Sequence, residues 1–141
     1  MDYYELKQET FKEHAEYLDT LLAPLHWVDV SQEFRQIQEQ SMQLLEFCQK
    51  VEQPLTGRVI LLPEFWVTKE DWENQLDQWS RMLLKEPFRY LVFVGAGLGK
   101  NEREPLRRFR PDAEVYLVDL AQPLAPADVY QFLIRTWSQA R

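Results

Sequence analysis

Between Tyr90 and Asp119 the chain reads YLVFVGAGLGKNEREPLRRFRPDAEVYLVD, an order of residues that few folds accept. The apolar run Tyr90 to Val94 abuts Gly95-Ala96-Gly97-Leu98-Gly99 with no polar residue between them, and a second run, Val115 to Val118, ends on Asp119. Unbroken runs rich in β-branched and aromatic side chains suit strands covered on both faces, as in a parallel sheet. Glycines directly after such a strand supply backbone conformations closed to other residues and let other groups approach the main chain. The stretch therefore predicts strand, glycine loop, a short basic helix over Pro105 to Phe109, and strand. Pro105 is tolerable in a first helical turn, whose amides have no helical partner.

The preceding half reads as mostly helical. Tyr4, Phe11, Ala15, Leu18 and Leu22 recur at helical spacing, and Pro24 reads as the terminator of that helix. Leu25 to Val30 is expected to be a connection, with Ser31 as the N-cap of a second helix carrying Phe34, Ile37, Ser41, Leu44, Cys48 and Val51 on one side. Glutamines 36, 38, 40, 43 and 49 fill the rest of that helix. Arg58 to Leu62 reads as a first strand. Thr68 and Asp71 then cap a helix whose stripe is Trp72, Leu76, Trp79 and Leu83, and Val129, Phe132, Leu133, Trp137 and Ala140 outline a closing helix. Strands alternating with helices imply parallel strands joined by right-handed crossovers. The expected fold is a small three-layer α/β/α domain with a short, about three-stranded parallel sheet. An N-terminal helical hairpin (residues 1–53) packs on a Rossmann-like unit (residues 58–141), and the 141 residues form a single domain.

A formal net charge of -7 argues against general nucleic-acid binding, which needs clustered cations, and favours solubility and basic partners. The one cysteine, Cys48, cannot form an internal disulfide, no apolar run is long enough to span a membrane, and MDYYELKQET lacks the features of a secretory leader. These features together predict a cytoplasmic protein with no membrane and no nucleic-acid partner. His14 and His26 lack metal-ligand spacing, so no metal site is expected. No nucleophile elbow or phosphate-binding P-loop sequence is present either.

One motif could carry a ligand. Gly95, Gly97 and Gly99, followed by an acidic residue closing the next strand, resemble the first two motifs of class I methyltransferases that use S-adenosylmethionine. On that resemblance the three glycines would face the cofactor and Asp119 would accept from its ribose hydroxyls. Phe93 stands where the family usually carries an acidic residue, and the likeness covers about 30 residues. Lys100, Asn101 and Arg103 follow the glycines, where cations could stabilise a bound anion. Equally, Arg107, Arg108 and Arg110 could serve the last turn of a helix, or form the positive half of a protein interface.

Two functions follow from the residues. The first is a small, acidic, non-catalytic protein-protein interaction module of inhibitor, immunity-protein or assembly-adaptor type. It would hold a protein partner, possibly a basic one, or a second copy of itself, through Trp27, Phe65, Trp66, Arg103 and Arg107, and would use no cofactor. The alternative is a binder of an anion or a nucleotide-derived cofactor such as S-adenosylmethionine, through Gly95, Gly97, Gly99, Lys100, Asn101 and Asp119.

Overall fold

The computed structural model describes residues 1–7, 17–99, 104–121 and 123–139. Among them are six strands, β1 (Thr20–Val28), β2 (Val59–Leu61), β3 (Phe65–Thr68), β4 (Tyr90–Ala96), β5 (Leu106–Arg110) and β6 (Val115–Asp119). Three α-helices accompany them, α1 (Phe34–Glu52), α2 (Trp72–Leu83) and α3 (Pro126–Gln139). All six strands join one sheet in the order β2-β1-β4-β6-β5, with β3 also paired to β1. Every pairing is parallel except that of β5 with β6.

The sheet is thus larger than the expected three strands, and the chain meets its first strand before its first helix. The expected helix from Tyr4 to Leu22 is not seen. Tyr3–Glu5 forms a 3-10 turn, Thr20–Val28 is a strand, and the part of that expectation over residues 8–16 lies outside the described residues. Without that helix there is no N-terminal hairpin. The run TLLAPLHWV is buried from Thr20 to Trp27, so both faces are apolar and no alternation marks it as a strand.

Pro24, expected to end a helix, lies inside this strand. The amide of Thr20 donates to Arg58 O and the carbonyl of Leu22 accepts from Leu62 N, so even-numbered residues of β1 face the β2–β3 flank. Pairing on that flank stops at Leu22–Leu61 and resumes at Leu25–Phe65. The missing N–H of Pro24 therefore faces the gap between β2 and β3, which explains a proline inside a sheet.

The two crossovers run opposite ways. From β1 the chain passes through α1 to β2, and from β3 it returns through α2 to β4 on the far side of β1. Right-handed connections then place α1 and α2 on opposite faces. On one face Leu22, Val92, Val94 and Val118 pack against Leu44, Cys48 and Val51 of α1 and Val129 and Leu133 of α3. On the other, Leu21, Ala23, Leu25, Phe93 and Leu117 pack against Trp72 and Leu76 of α2. Helix α1 starts after Glu33 rather than Ser31, and the Glu33 amide donates to Gln36 Oε1 at 3.2 Å. Helix α2 starts after Asp71, while Thr68 closes β3. Trp79, expected in the buried stripe of α2, keeps 39% of its surface exposed and rests on Phe65, ring centres 4.7 Å apart.

The expected basic helix at Pro105 to Phe109 is the edge strand β5. Its arginines are spent locally. Arg110 bonds Ser80 Oγ and Asp112 at 3.0 Å and pairs with Asp77 at 3.4 Å, and Arg108 reaches Glu114 and the Tyr116 hydroxyl. Charged side chains on an edge strand discourage pairing with another sheet. At the amino end of the sheet Arg58 makes two 3.0 Å bonds to Asp19 and lies 3.9 Å over the ring of Trp137. The Trp137 indole N–H donates to Thr20 Oγ1 at 3.1 Å, tying α3 to β1.

Candidate functional site

The chain leaves β1 toward β2 on one side, and leaves β4 toward β6 on the other. Between two such strands the connections diverge at the carboxyl ends and open a crevice, the usual ligand position of open α/β sheets. Here the crevice has a volume of about 790 Å³. Gln32 lines it from the turn before α1, Gln40 and Gln43 from the first half of α1, Lys69 from the residue after β3, and Gly97 and Gly99 from the loop after β4. Leu44, Phe47, Leu120 and Leu124 supply an apolar wall.

The glycines differ in purpose. A Cβ on Gly95 would stand 2.2 Å from Cζ3 of Trp27, so the buried indole occupies the space a side chain would need. Gly97, with φ +100°, has room for no side chain either, since a Cβ would lie 2.6 Å from the Trp27 carbonyl oxygen. Gly99, with φ +92°, faces open space and is glycine for its backbone alone. Only Gly97 and Gly99 of the three line the crevice. Asp119 stands level with Gly95 in the sheet, 5% exposed, and its Oδ1 accepts from the Ala121 amide at 2.9 Å. Its carboxylate thus shapes the turn after β6.

Beneath the crevice, on the α1 face of the sheet, lies a cluster of hydrogen-bonded polar side chains. His26 is fully buried on the face of α1, and its Nε2 lies 2.8 Å from Gln40 Oε1. An amide oxygen can only accept, so Nε2 carries the hydrogen and Nδ1 faces Ser41 Oγ, 3.4 Å away. Ser41 donates to Glu64 at 3.0 Å, and the Trp66 indole donates to the same carboxylate at 2.5 Å. Gln32 Nε2 donates to Gln40 Oε1 at 3.1 Å, which fixes two crevice glutamines to the buried histidine.

Of the residues singled out as interface anchors, Trp27 is 0% exposed and belongs to the core, edge-on to Trp72. Phe65 is half-buried between Trp79 and Phe93, and Trp66 is 55% exposed. Arg107 is half-buried on β5 and is not a free cation. Lys100, Asn101 and Arg103 lie outside the described residues. Sequence reasoning passed over Gln32, Gln40, Gln43, Lys69 and His26. The spacing of Gln36, Gln40 and Gln43 places them on one side of α1, the one signal that could have drawn attention to them.

Burial pushes the Cys48 thiol far above its ordinary range, with Glu64 adding to the effect, so it is no nucleophile. Among the described residues no group of three His, Cys, Asp or Glu side chains could hold a metal ion, and no helix is long and apolar enough to cross a membrane.

Fold and site together define an open-sheet α/β protein with a polar crevice at the carboxyl ends of its two central parallel strands. The chain belongs to the family described as "Protein of unknown function (DUF2487)", whose model matches residues 9–105, more than half its length. That match takes in Gln32, Gln40, Gln43, Lys69, Gly97 and Gly99. No curated protein and no solved structure matches the chain.

Proposed function

We propose that this is a non-catalytic binding protein whose carboxyl-edge crevice takes a small anionic ligand with a flat polar ring, the chemistry a nucleotide presents. One observation carries the reading: in a chain of net charge -7, none of the described residues lining the crevice is acidic, and Lys69 is its cation, held only by an exposed 3.8 Å pair with Asp29. The amides of Gln40 and Gln43 offer donors and acceptors to the edge of a ring, and Phe47, Leu44 and Leu124 offer its faces an apolar wall. Gly97 and Gly99 let an anion approach the backbone. Among the described residues that line the space there is no nucleophile or general base, which supports binding without chemistry. The expected basic helix is a strand, so a helix terminus at residues 105–109 contributes nothing to holding phosphate, and Lys69 takes that role.

A second reading, an interaction module for another protein, is favoured by the apolar side chains of Phe34, Met42 and Leu45 left uncovered on α1.

The crevice is tested by thermal unfolding with adenosine monophosphate, S-adenosylmethionine and inorganic phosphate as probes. A ligand at about a hundred times its Kd stabilises the native state by roughly 2.7 kcal/mol. Lys69→Ala and Gln43→Ala, both at exposed positions, should abolish most of that shift; Gln43→Ala should leave the unliganded midpoint unchanged, and Lys69→Ala should lower it only by the small worth of an exposed pair with Asp29, at most about 1 kcal/mol. No shift with any of the three probes at millimolar concentration would sink the ligand reading. Gly97 is unsuited to this test, because any side chain there collides with the Trp27 carbonyl whether or not a ligand binds.

A further inference from the structure

We infer that α1 is the contact face of a homodimer, with two copies meeting antiparallel across a two-fold axis. Phe34, Met42 and Leu45 are 76%, 65% and 46% exposed. At about 100° per residue they fall, with Gln38, within a sector of roughly 80° on the helix, turned toward the β2 edge and away from α3. Beside Met42 and Leu45 lies a mostly apolar recess of about 300 Å³ walled by Leu61, Pro63 and Tyr4, with Asp2 and Glu64 also lining it. Phe34 thus projects at one end of the stripe and the recess opens toward the other, separated by roughly 16 Å of helix.

A second copy is the partner this arrangement fits. In a two-fold interface the same patch serves both subunits, so each feature needs its complement at the mirrored distance from the axis. An axis crossing α1 at the level of residues 39–40 sets Phe34 of each copy against Leu45 and the recess of the other. Two charges on the flank of the stripe obey the same symmetry, whereas Glu39, at the outer side of that flank and level with the axis, faces its own copy. Arg35 and Glu46 lie eleven residues apart, close to three full turns, and so share one flank of the stripe. Antiparallel pairing brings Arg35 of each copy to Glu46 of the other. Arg35 has no ion-pair partner among the described residues, and Glu46 holds only an exposed pair with Lys50 at 3.1 Å, which is readily exchanged.

Sedimentation equilibrium on the full chain tests this. The wild type should dimerise, and Met42→Glu should raise the dissociation constant at least about tenfold by placing a charge in the recess. Arg35→Glu should weaken the dimer, and adding Glu46→Arg should restore it, which a merely structural role for either residue would not produce. These positions are exposed, so far-ultraviolet circular dichroism should stay at wild-type values, as should the unfolding midpoint measured at protein concentrations well below the wild-type dissociation constant. A chain that remains monomeric into the millimolar range overturns the inference and leaves the stripe to a different protein. A dimer indifferent to both Met42→Glu and Arg35→Glu overturns it as well.

Discussion

Gly95→Ala adds one methyl group to the middle of the sheet, and its cost can be worked from the contact it makes. The new Cβ would lie 2.2 Å from Cζ3, 2.3 Å from Cη2 and 3.1 Å from Cε3 of Trp27. Carbon atoms rest about 3.5 to 4.0 Å apart, so the ring must retreat by more than about 1 Å. It has nowhere to go, being fully buried with the Trp72 ring 5.4 Å from it on edge. Overpacking of this kind costs roughly 1 to 3 kcal/mol, and a rigid indole held by a second tryptophan belongs at the upper end. With an unfolding entropy near 2.1 cal/mol/K per residue, 141 residues lose about 10 °C in midpoint for a cost of about 3 kcal/mol. The control is the same substitution in a Trp27→Leu background. Leucine lacks the six-membered ring, so Gly95→Ala should there cost under about 0.5 kcal/mol, giving a coupling of about 2 kcal/mol or more. Both backgrounds are measured by urea and thermal unfolding. An equal cost in the two would refute the account, because the glycine would then answer to something other than the indole.

Three further substitutions probe other parts of the fold. Cys48 contributes stability that is whole below pH 9 and declines above it, because the unfolded thiol ionises near 9.0 while the buried one keeps its proton; each pH unit beyond that should cost up to about 1.4 kcal/mol. Cys48→Ala should remove this alkaline slope in urea melts between about pH 8.5 and 10.5, while losing a constant packing term. Arg58→Lys keeps the charge but loses the paired bonds to Asp19 and the flat contact with Trp137, and should cost about 1 kcal/mol in chemical denaturation. Gln40→Leu leaves the buried His26 Nε2 without its acceptor and should cost roughly 1 to 3 kcal/mol, where Gln49→Leu at an exposed position of the same helix should cost little.

How far the sequence exposes this fold depends on whether local pattern and tertiary position agree. At Tyr90–Ala96, Val115–Asp119, α3 and the Trp72 and Leu76 positions of α2 they do, because an apolar run or part of a helical stripe meets a core on the expected face. At β1 they diverge. Leu18 and Leu22 stand four apart as on a helix, yet they are buried in the two different cores on either side of the sheet, and Pro24 survives because its partner strand is broken opposite it. At β5 the arginines suggest a helix end, whereas Pro111 and Asp112 mark the turn of a hairpin whose bulge lies between Arg108 and Arg110. Trp27 illustrates the same limit for the site, since exposure of a tryptophan is decided by what packs on it and not by its neighbours in sequence.

The glycine loop gains a different meaning from this. Gly95 and Gly97 owe their identity to the side chain and carbonyl of Trp27, so two of the three glycines that resemble a cofactor motif are accounted for by packing alone. That packing nonetheless builds the crevice. It pins the chain after β4 against His26 and Trp27, and His26 in turn fixes Gln40 and, through it, Gln32. The loop and the glutamines are therefore two walls held by adjacent residues of one buried strand. A ligand entering between them would meet donors whose positions are set by the core before it arrives, the preorganisation that limits the entropy cost of binding. A substitution at His26 should accordingly weaken a crevice ligand without touching it, whereas Lys69→Ala should do so by direct contact and leave the buried network in place.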